Sequence, residues 1–323
     1  MNDQNNLIIE ECKSDKDWND FVLKSENLNF YSLSEIVKLE KNSKRFFVLK
    51  KKEKLASFNL NIEKDKVLHP IYSIYTPINY KKLVNTKKSS HYSFYFDINE
   101  KICNFLVQNY NSINITFDHL TSDIRAFSWY GFPDYKNKFL LDLRYTYVSN
   151  IEKINFVNFQ HKEIFLNSSE TNRREIRNSL KKNYYFEESF SKKLFIELKK
   201  KSYELHGKQI DIAFYEKILT ALEQLYEKKL VKMFIGYHKE IPFSMTVFST
   251  IGNKAIFLHS GRNHEGDNKN LFGIYQIFNS IIKLSNSGIS TLDFEGINSP
   301  RNSFSKLKFG GRIFPYYNLN LNV

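Results

Sequence analysis

Cysteine is nearly absent: Cys12 and Cys103 are the only two in 323 residues. Two thiols so far apart make neither a disulfide framework nor a thiolate cluster, and their scarcity fits a reducing compartment. The eight histidines show no His-x-x-x-His or His-Glu-x-x-His spacing, so no metal site is expected. Glycine is scarce and one-sided: all 11 lie between Gly131 and Gly311. Phosphate-cradling loops need residues that tolerate positive φ and close backbone approach, which excludes a P-loop or dinucleotide fingerprint from the first 130 residues. There is no Gly-x-Ser-x-Gly elbow to carry a serine nucleophile. No run of about 18 apolar residues predicts a membrane span. The first six residues lack the basic-then-apolar pattern of a secretory signal. A soluble, cytoplasmic protein is expected.

Against these absences stand 41% hydrophobic and 16% aromatic residues, enough apolar surface to offset the entropy of ordering the chain. The length favours two domains, each with its own core. Lys and Arg number 48 against 35 Asp and Glu, a net charge of +13. Such an excess attracts anions: nucleic acid, nucleotides or phospholipid surfaces. Lys outnumbers Arg by 39 to 9, the mixture an AT-rich genome produces with no anionic partner, so both explanations stand.

The first part reads as mixed α/β. Residues 7–9 form a strand and 14–24 a helix, with Trp18, Phe21 and Val22 at i, i+3, i+4. Strands follow at 45–50, 55–62 and 67–75, then a helix at 100–108, a strand at 113–117 and a buried strand at 139–143. A domain boundary is placed near residue 150. The second part predicts helices at 169–182, 192–206 and 211–228, the last with Asp211 as N-cap and Phe214, Ile218, Leu222 and Leu225 as its apolar stripe. Strands at 231–237, 243–249 and 255–259 precede a polar loop at 261–269, a helix at 271–284 and a strand at 291–294. Two α/β halves of similar length suggest a duplication.

Arg173, Arg174, Arg177, Lys181 and Lys182 form the densest basic cluster. On a helix, 173, 177 and 181 share one face, either a phosphate-binding ladder or a solvated surface. His259, at a strand end beside Ser260-Gly261-Arg262, is a candidate general base or a structural histidine. Asp293 and Glu295 flank Phe294 and read as an acidic pair at the site or as a turn cap before Gly296. Lys306, beside aromatics and followed by Gly310-Gly311, is suited to meeting a developing oxyanion, or else stands on a short surface helix with a glycine stop.

The stretch from Leu292 to Gly311 resembles the Fem family of peptidoglycan bridge-forming aminoacyltransferases and related GNAT-like acyltransferases, including those with a BioF2-like acetyltransferase domain. The matching residues are Asp293, Gly296, Pro300, Lys306, Phe309 and Gly310, with Ser305 where the family has Phe. Residues 139–143 resemble the family's interdomain strand and 173–177 its basic helix, so the likeness covers about residues 139–318. The resemblance implies an α/β (α+β) fold of tandem GNAT-like domains, each a mixed central sheet flanked by helices. These are 1–150, completed by a C-terminal strand at 313–323, and 151–312. It implies acyl or aminoacyl transfer to an amine on a cell-envelope or polysaccharide precursor, such as a nucleotide-linked amino sugar, a muropeptide or a membrane-associated lipid-linked precursor. Lys306 is the expected oxyanion stabiliser, with Asp293 and His259 beside it; Arg173, Arg177, Lys181, Arg262 and Phe309 are the expected substrate contacts. No permanently bound cofactor and no metal is expected. The donor is an aminoacyl-tRNA, an acyl-CoA or an acyl carrier protein. Residues 262–266 have the wrong spacing for a conventional CoA pyrophosphate loop, and helices at 191–230 are too short for a long tRNA-binding arm. The alternatives are a CoA- or carrier-dependent sugar N-acyltransferase and a noncatalytic basic module for nucleic acid or anionic lipid.

Overall fold

The computed structural model describes residues 7–134, 137–182, 184–205, 207–263 and 272–322, with Phe272, Arg301 and Asn302 as backbone only. The chain divides into two compact units, one of residues 1–144 and 315–323 and the other of residues 145–314.

In the first unit, β1 (Leu7–Glu11) leads to α1 (Asp15–Val22), where the Ser14 side chain accepts the Asp17 N–H and buries no orphan donor. Trp18 and Val22, one turn apart, are fully buried. A short α2 (Ser34–Val37) precedes the hairpin of β2 (Ser43–Lys50) and β3 (Glu53–Glu63). Its two turn residues, Lys51 and Lys52, both have positive φ, the twist a two-residue hairpin requires. Then come β4 (Lys66–Leu68), β5 (Ile78–Tyr80), α3 (Lys88–Asn109), β6 (Ser112–Thr116) and α4 (Arg125–Ser128). The sheet runs β1-β2-β3-β4-β6, with β5 also on β3, and its core holds Val48, Phe58, Leu60, Ile102 and Leu106.

The expected strand at 67–75 is shorter. Pro70 has no N–H to offer a ladder, and the Glu40 carboxylate takes the N–H groups of Ile71 and Tyr72 at 2.5 and 2.6 Å, so the segment is held by a side chain instead. The helix expected at 100–108 is the second half of α3. Its buried residues, Ile98, Asn99, Ile102, Cys103 and Leu106, begin only at the middle of the helix, and the aromatic stretch before them is at most half-buried. At 139–143 only Phe139 is buried; Leu140, Leu141 and Leu143 are exposed.

The second unit takes up β7 (Leu140–Asn150) and continues through α5 (Glu163–Leu166), α6 (Glu170–Ser179), β8 (Tyr184–Glu188), α7 (Lys192–Glu204) and α8 (Ile212–Glu227). Then follow β9 (Val231–His238), β10 (Ile241–Ile251), β11 (Lys254–Arg262), α9 (Phe272–Asn286), β12 (Thr291–Gly296) and α10 (Pro300–Lys306). Asp211 caps α8 by accepting the Phe214 N–H. The β9–β10 turn places Lys239 and Glu240 at positive φ. The sheet order is β7-β12-β11-β10-β9-β8, in which only the β12–β11 pair is parallel. Phe234, Phe248, Ile282, Leu292 and Phe294 are fully buried in its core. β8, an edge strand not expected from the sequence, packs Tyr184 and Phe186 against the core and leaves Tyr185 exposed. Of the polar loop expected at 261–269, Gly261 and Arg262 belong to β11, and 264–269 lie outside the described residues.

The last strand, β13 (Arg312–Asn322), pairs antiparallel with β6 in the first unit, Asn318 opposite Thr116 and Asn322 opposite Ser112. Leu319 and Leu321 complete that unit's core.

Candidate functional site

The end of β12 departs from regular strand geometry. Its ladder with β7 shifts register between Asp293 and Gly296, and Glu295 sits at φ +60°, a conformation costly for a residue with a Cβ. The Asp293 carboxylate holds this bulge, accepting the Thr146 hydroxyl at 2.5 Å and the Glu295 N–H at 2.7 Å. Asp293 thus braces the turn before Gly296, and the Gly296 carbonyl beyond the bulge meets α10. Lys306, in the last turn of that helix, donates to the Gly296 carbonyl at 3.1 Å. Burial lowers the Lys306 pKa, and the Glu295 and Asp293 carboxylates oppose the shift.

The segment after Lys306 is tied down tightly. Tyr147 OH accepts the Gly311 N–H at 2.5 Å and donates to the Leu307 carbonyl at 3.0 Å. Phe309 is buried and stacks on Phe294 with ring centroids 5.3 Å apart. The Lys308 carbonyl accepts from the Ser169 N–H and from the Asn172 side chain. Gly310 has φ +67°, and a Cβ there would lie 2.5 Å from the Ile164 carbonyl oxygen; one on Gly311 would lie 2.6 Å from the Val148 carbonyl oxygen. The glycine pair is thus required by close packing, and the Gly311 amide is committed to Tyr147.

Lys306 lines a cavity of about 820 Å³ built by α7, α9, α10 and the outer halves of β10 and β11. One wall depends on Gly261: a Cβ there would stand 2.8 Å from the Leu198 and Lys199 backbone, so glycine lets α7 lie directly on β11. Deep in the cavity is a satisfied polar network. Gln276 accepts the Ser244 hydroxyl at 2.9 Å and donates to the Phe234 carbonyl at 2.9 Å and to Thr246 at 3.1 Å, while Thr246 and Ser280 share a 2.8 Å bond. On the α7 side, Lys199 donates to the Ser260 carbonyl at 3.1 Å, with its ammonium over the rings of Tyr215 and Tyr203 at 5.4 and 5.9 Å. Burial brings the Lys199 pKa down to about 8. His259 packs its ring against Phe195 and Tyr215, and burial, reinforced by Lys199, holds its pKa well below the ordinary value, so the imidazole is neutral. Arg262 and Ser202 clasp each other through the Arg262 N–H and the Ser202 hydroxyl at 2.8 Å. Among the described residues, the cations Lys199, Lys208, Arg262, Lys306 and Lys308 and the carboxylate of Glu295 line the cavity. Beside Arg262 and Lys308, burial raises the pKa of Glu175.

Among the residues expected from the sequence, Lys306, His259, Arg262 and Phe309 line this one cavity, and Asp293 acts on it by shaping the bulge and by its charge on Lys306. Arg173, Arg177 and Lys181 are not in its lining. Arg173 donates to the Leu166 carbonyl at 3.3 Å and Arg177 lies 5.4 Å over the Phe165 ring, so the shared face of α6 is spent on α5. α6 ends at Ser179, which leaves Lys181 exposed beyond the helix rather than on its ladder. Lys199, Lys208, Lys308 and the Gln276 network were not foreseen. Lys199 did leave a trace, since it follows the buried Phe195 by four residues and so shares its inward face.

Among the described residues, no group of three or more His, Cys, Asp or Glu side chains could hold a metal, and no helix is long and apolar enough to cross a membrane. Both cysteines are free and buried; burial raises both thiol pKa values, that of Cys103 to about 12.

No family model matches the sequence, and no curated protein matches it. Solved structures do match. FemX superposes with a TM-score of 0.68 at 14% identity, over 95% of this chain and 96% of that one. A protein of unknown function from Bacteroides thetaiotaomicron VPI-5482 gives 0.61 at 11%, over 97% and 100%. L-PGS from Bacillus licheniformis gives 0.58 at 9%, over 94% and 90%. At these identities the likeness is one of fold: the chain has a mixed α/β fold like that of FemX, whose family residues 292–311 resemble.

Proposed function

We propose that the protein is a cytoplasmic N-acyltransferase that forms an amide on a cell-envelope or polysaccharide precursor. The observation that carries this reading is Lys306: a half-buried cation, anchored on the Gly296 carbonyl, on the wall of a cavity whose described lining is rich in Lys and Arg. In acyl transfer, an uncharged amine adds to an activated carbonyl, the carbonyl oxygen becomes an oxyanion, and the collapse of that intermediate expels the leaving group, with the amine's proton lost to a base. Lys306 spends one N–H on Gly296 and has two more to direct at the oxyanion. Its low-dielectric setting strengthens that attraction. His259 lines the same cavity, but a pKa held well below the ordinary value makes its imidazole a weak base, so the proton passes to solvent water. No protein nucleophile is needed.

Aminoacyl-tRNA, acyl-CoA and acyl carrier protein all carry phosphate, one ribose away from the ester in the tRNA and at the far end of the pantetheine arm in the other two. Arg262, Lys208, Lys199 and Lys308 suit that shared chemistry, and the Gln276 network supplies directional polar contacts. The acceptor class, a nucleotide-linked amino sugar, a muropeptide or a lipid-linked precursor, rests on the resemblance of residues 292–311 to Fem transferases and on the fold of FemX. The test is thermal stabilisation by charged tRNA, acyl-CoA and acylated carrier protein in turn, followed by turnover with the stabilising donor and its Lys306→Met variant. A donor that stabilises the protein, with turnover lost in the variant, supports the reading; undiminished turnover refutes the role of Lys306. Salt-steep binding to generic DNA without stabilisation by any donor would favour a noncatalytic basic module.

A further inference from the structure

The first unit carries a surface that acyl transfer does not use. Tyr92, Trp129 and Phe132 are 59%, 53% and 70% exposed, an arrangement that leaves three large aromatics in water unless something covers them. They form one patch. Lys88, Tyr92 and Phe96 follow at i, i+4, i+8 on one face of α3, and Phe96 meets Trp129 with ring centroids 5.7 Å apart. Arg125 crosses from α4, donating to the Tyr92 carbonyl at 3.2 Å and lying over the Phe96 and Trp129 rings at 5.2 and 5.6 Å. The Phe132 N–H closes a turn on the Trp129 carbonyl at 3.0 Å, which fixes Phe132 beside it.

Charge around the patch is one-sided. No acidic residue occurs from Lys66 to Phe96, a stretch that holds five lysines, and Lys87 and Lys88 stand exposed at the start of α3. On the α4 side, Asp123 is paired with Arg125 at 2.7 Å, and Asp134 and Lys138 are both exposed.

The geometry points to this patch as a docking surface for an anionic phospholipid bilayer, with Tyr92, Trp129 and Phe132 entering the headgroup region and Lys87 and Lys88 meeting lipid phosphates. Tyr and Trp, each an apolar body with a polar tip, are the side chains that settle at that depth. Compact lysine ammoniums add attraction for a negative surface. A single-stranded nucleic acid would call for guanidinium forks and open ring faces, yet the one arginine here is paired with Asp123 and already covers two of the rings. Such docking is peripheral, and it stands independently of the cavity chemistry proposed above.

The test is co-sedimentation of the full chain with phosphatidylglycerol-containing vesicles and with pure phosphatidylcholine vesicles, read alongside tryptophan emission. Trp18, the other tryptophan, is fully buried and supplies a constant background. Binding to the anionic vesicles, weakened by salt and accompanied by a blue shift, is expected. Lys87→Ala/Lys88→Ala should weaken it about 30-fold, from the contribution of two lysines near a charged surface. Trp129→Ala/Phe132→Ala should weaken it by about tenfold, from partial burial of two aromatics, and abolish the blue shift. Both pairs are exposed, and unchanged thermal melting confirms that each variant folds. No binding to anionic vesicles, equal binding to both vesicle types, or variants that bind as the wild type would overturn the assignment. So would single-stranded RNA quenching Trp129 where the vesicles do not bind.

Discussion

Lys199 makes the charge of the cavity depend on pH in a range that can be measured. Its pKa of about 8 arises from burial, so the ammonium is roughly 90% formed at pH 7 and roughly 10% formed at pH 9. Below the pKa the cation is present and anions are held; as the pH rises through it, one positive charge leaves the wall. His259 does not compensate, because its pKa is depressed well below the ordinary value and it is neutral throughout this window. At about 7 Å and an effective dielectric of about 20, one such charge is worth ~2.4 kcal/mol per unit of anion charge. For a divalent anion this doubles to ~5 kcal/mol; salt and water in the cavity reduce it severalfold, so about 1.4 kcal/mol, a tenfold loss of affinity, is expected between pH 7 and 9. Sulfate is the suitable probe since its own charge is constant over the range, and isothermal titration at fixed ionic strength gives the affinity. Lys199→Met should bind sulfate weakly at pH 7 and lose the step. Wild-type affinity that is flat from pH 7 to 9, or a step of undiminished size in Lys199→Met, would show that Lys199 is not the titrating wall charge.

Lys306→Met keeps the stem and removes the ammonium; turnover should fall by roughly 10²–10³, the usual cost of one oxyanion donor, while the urea midpoint changes little. Gly310→Ala must adopt φ +67° and place a methyl 2.5 Å from the Ile164 carbonyl oxygen. It should destabilise the fold by ~2–4 kcal/mol in chemical denaturation, and a neutral result would mean that the close packing is misread. Arg173→Ala and Arg177→Ala should leave sulfate affinity unchanged, because both side chains are engaged on α5, whereas Arg262→Ala should weaken it by at least about fivefold. The reverse order would return anion binding to α6.

Where sequence and structure agree, the signal is local and strongly periodic. α8 has its side-chain cap at the expected Asp211, and both α1 and α8 carry the expected apolar stripe behind the cap. The β9–β10 hairpin has its turn where the polar residues fall. Where they part, a distant residue decides. Glu40 claims the backbone of Ile71 and Tyr72 from some 30 positions away and ends a strand that Val67 and its neighbours otherwise favour. The first half of α3 is at most half-buried, and aromatic contacts such as Phe96 with Trp129 stabilise it.

The same contrast explains the site. Lys306 was visible because its neighbours are unusual residues at close spacing, but their roles are divided in a way spacing does not express. Gly310 and Gly311 serve packing, Asp293 builds a bulge, and the bulge delivers the carbonyl that holds the ammonium. The arginines of α6 attracted attention by density, a property of sequence. Charge at the cavity instead comes from cations on β11, on α7 and the turns that follow α7 and α10, drawn from separate segments and gathered only by the fold. A lysine four residues from a buried phenylalanine, as Lys199 is from Phe195, faces the core whatever its charge prefers. Such inward-facing lysines, rather than clusters, are therefore the marks by which a cavity of this kind can be sought in a lysine-rich sequence.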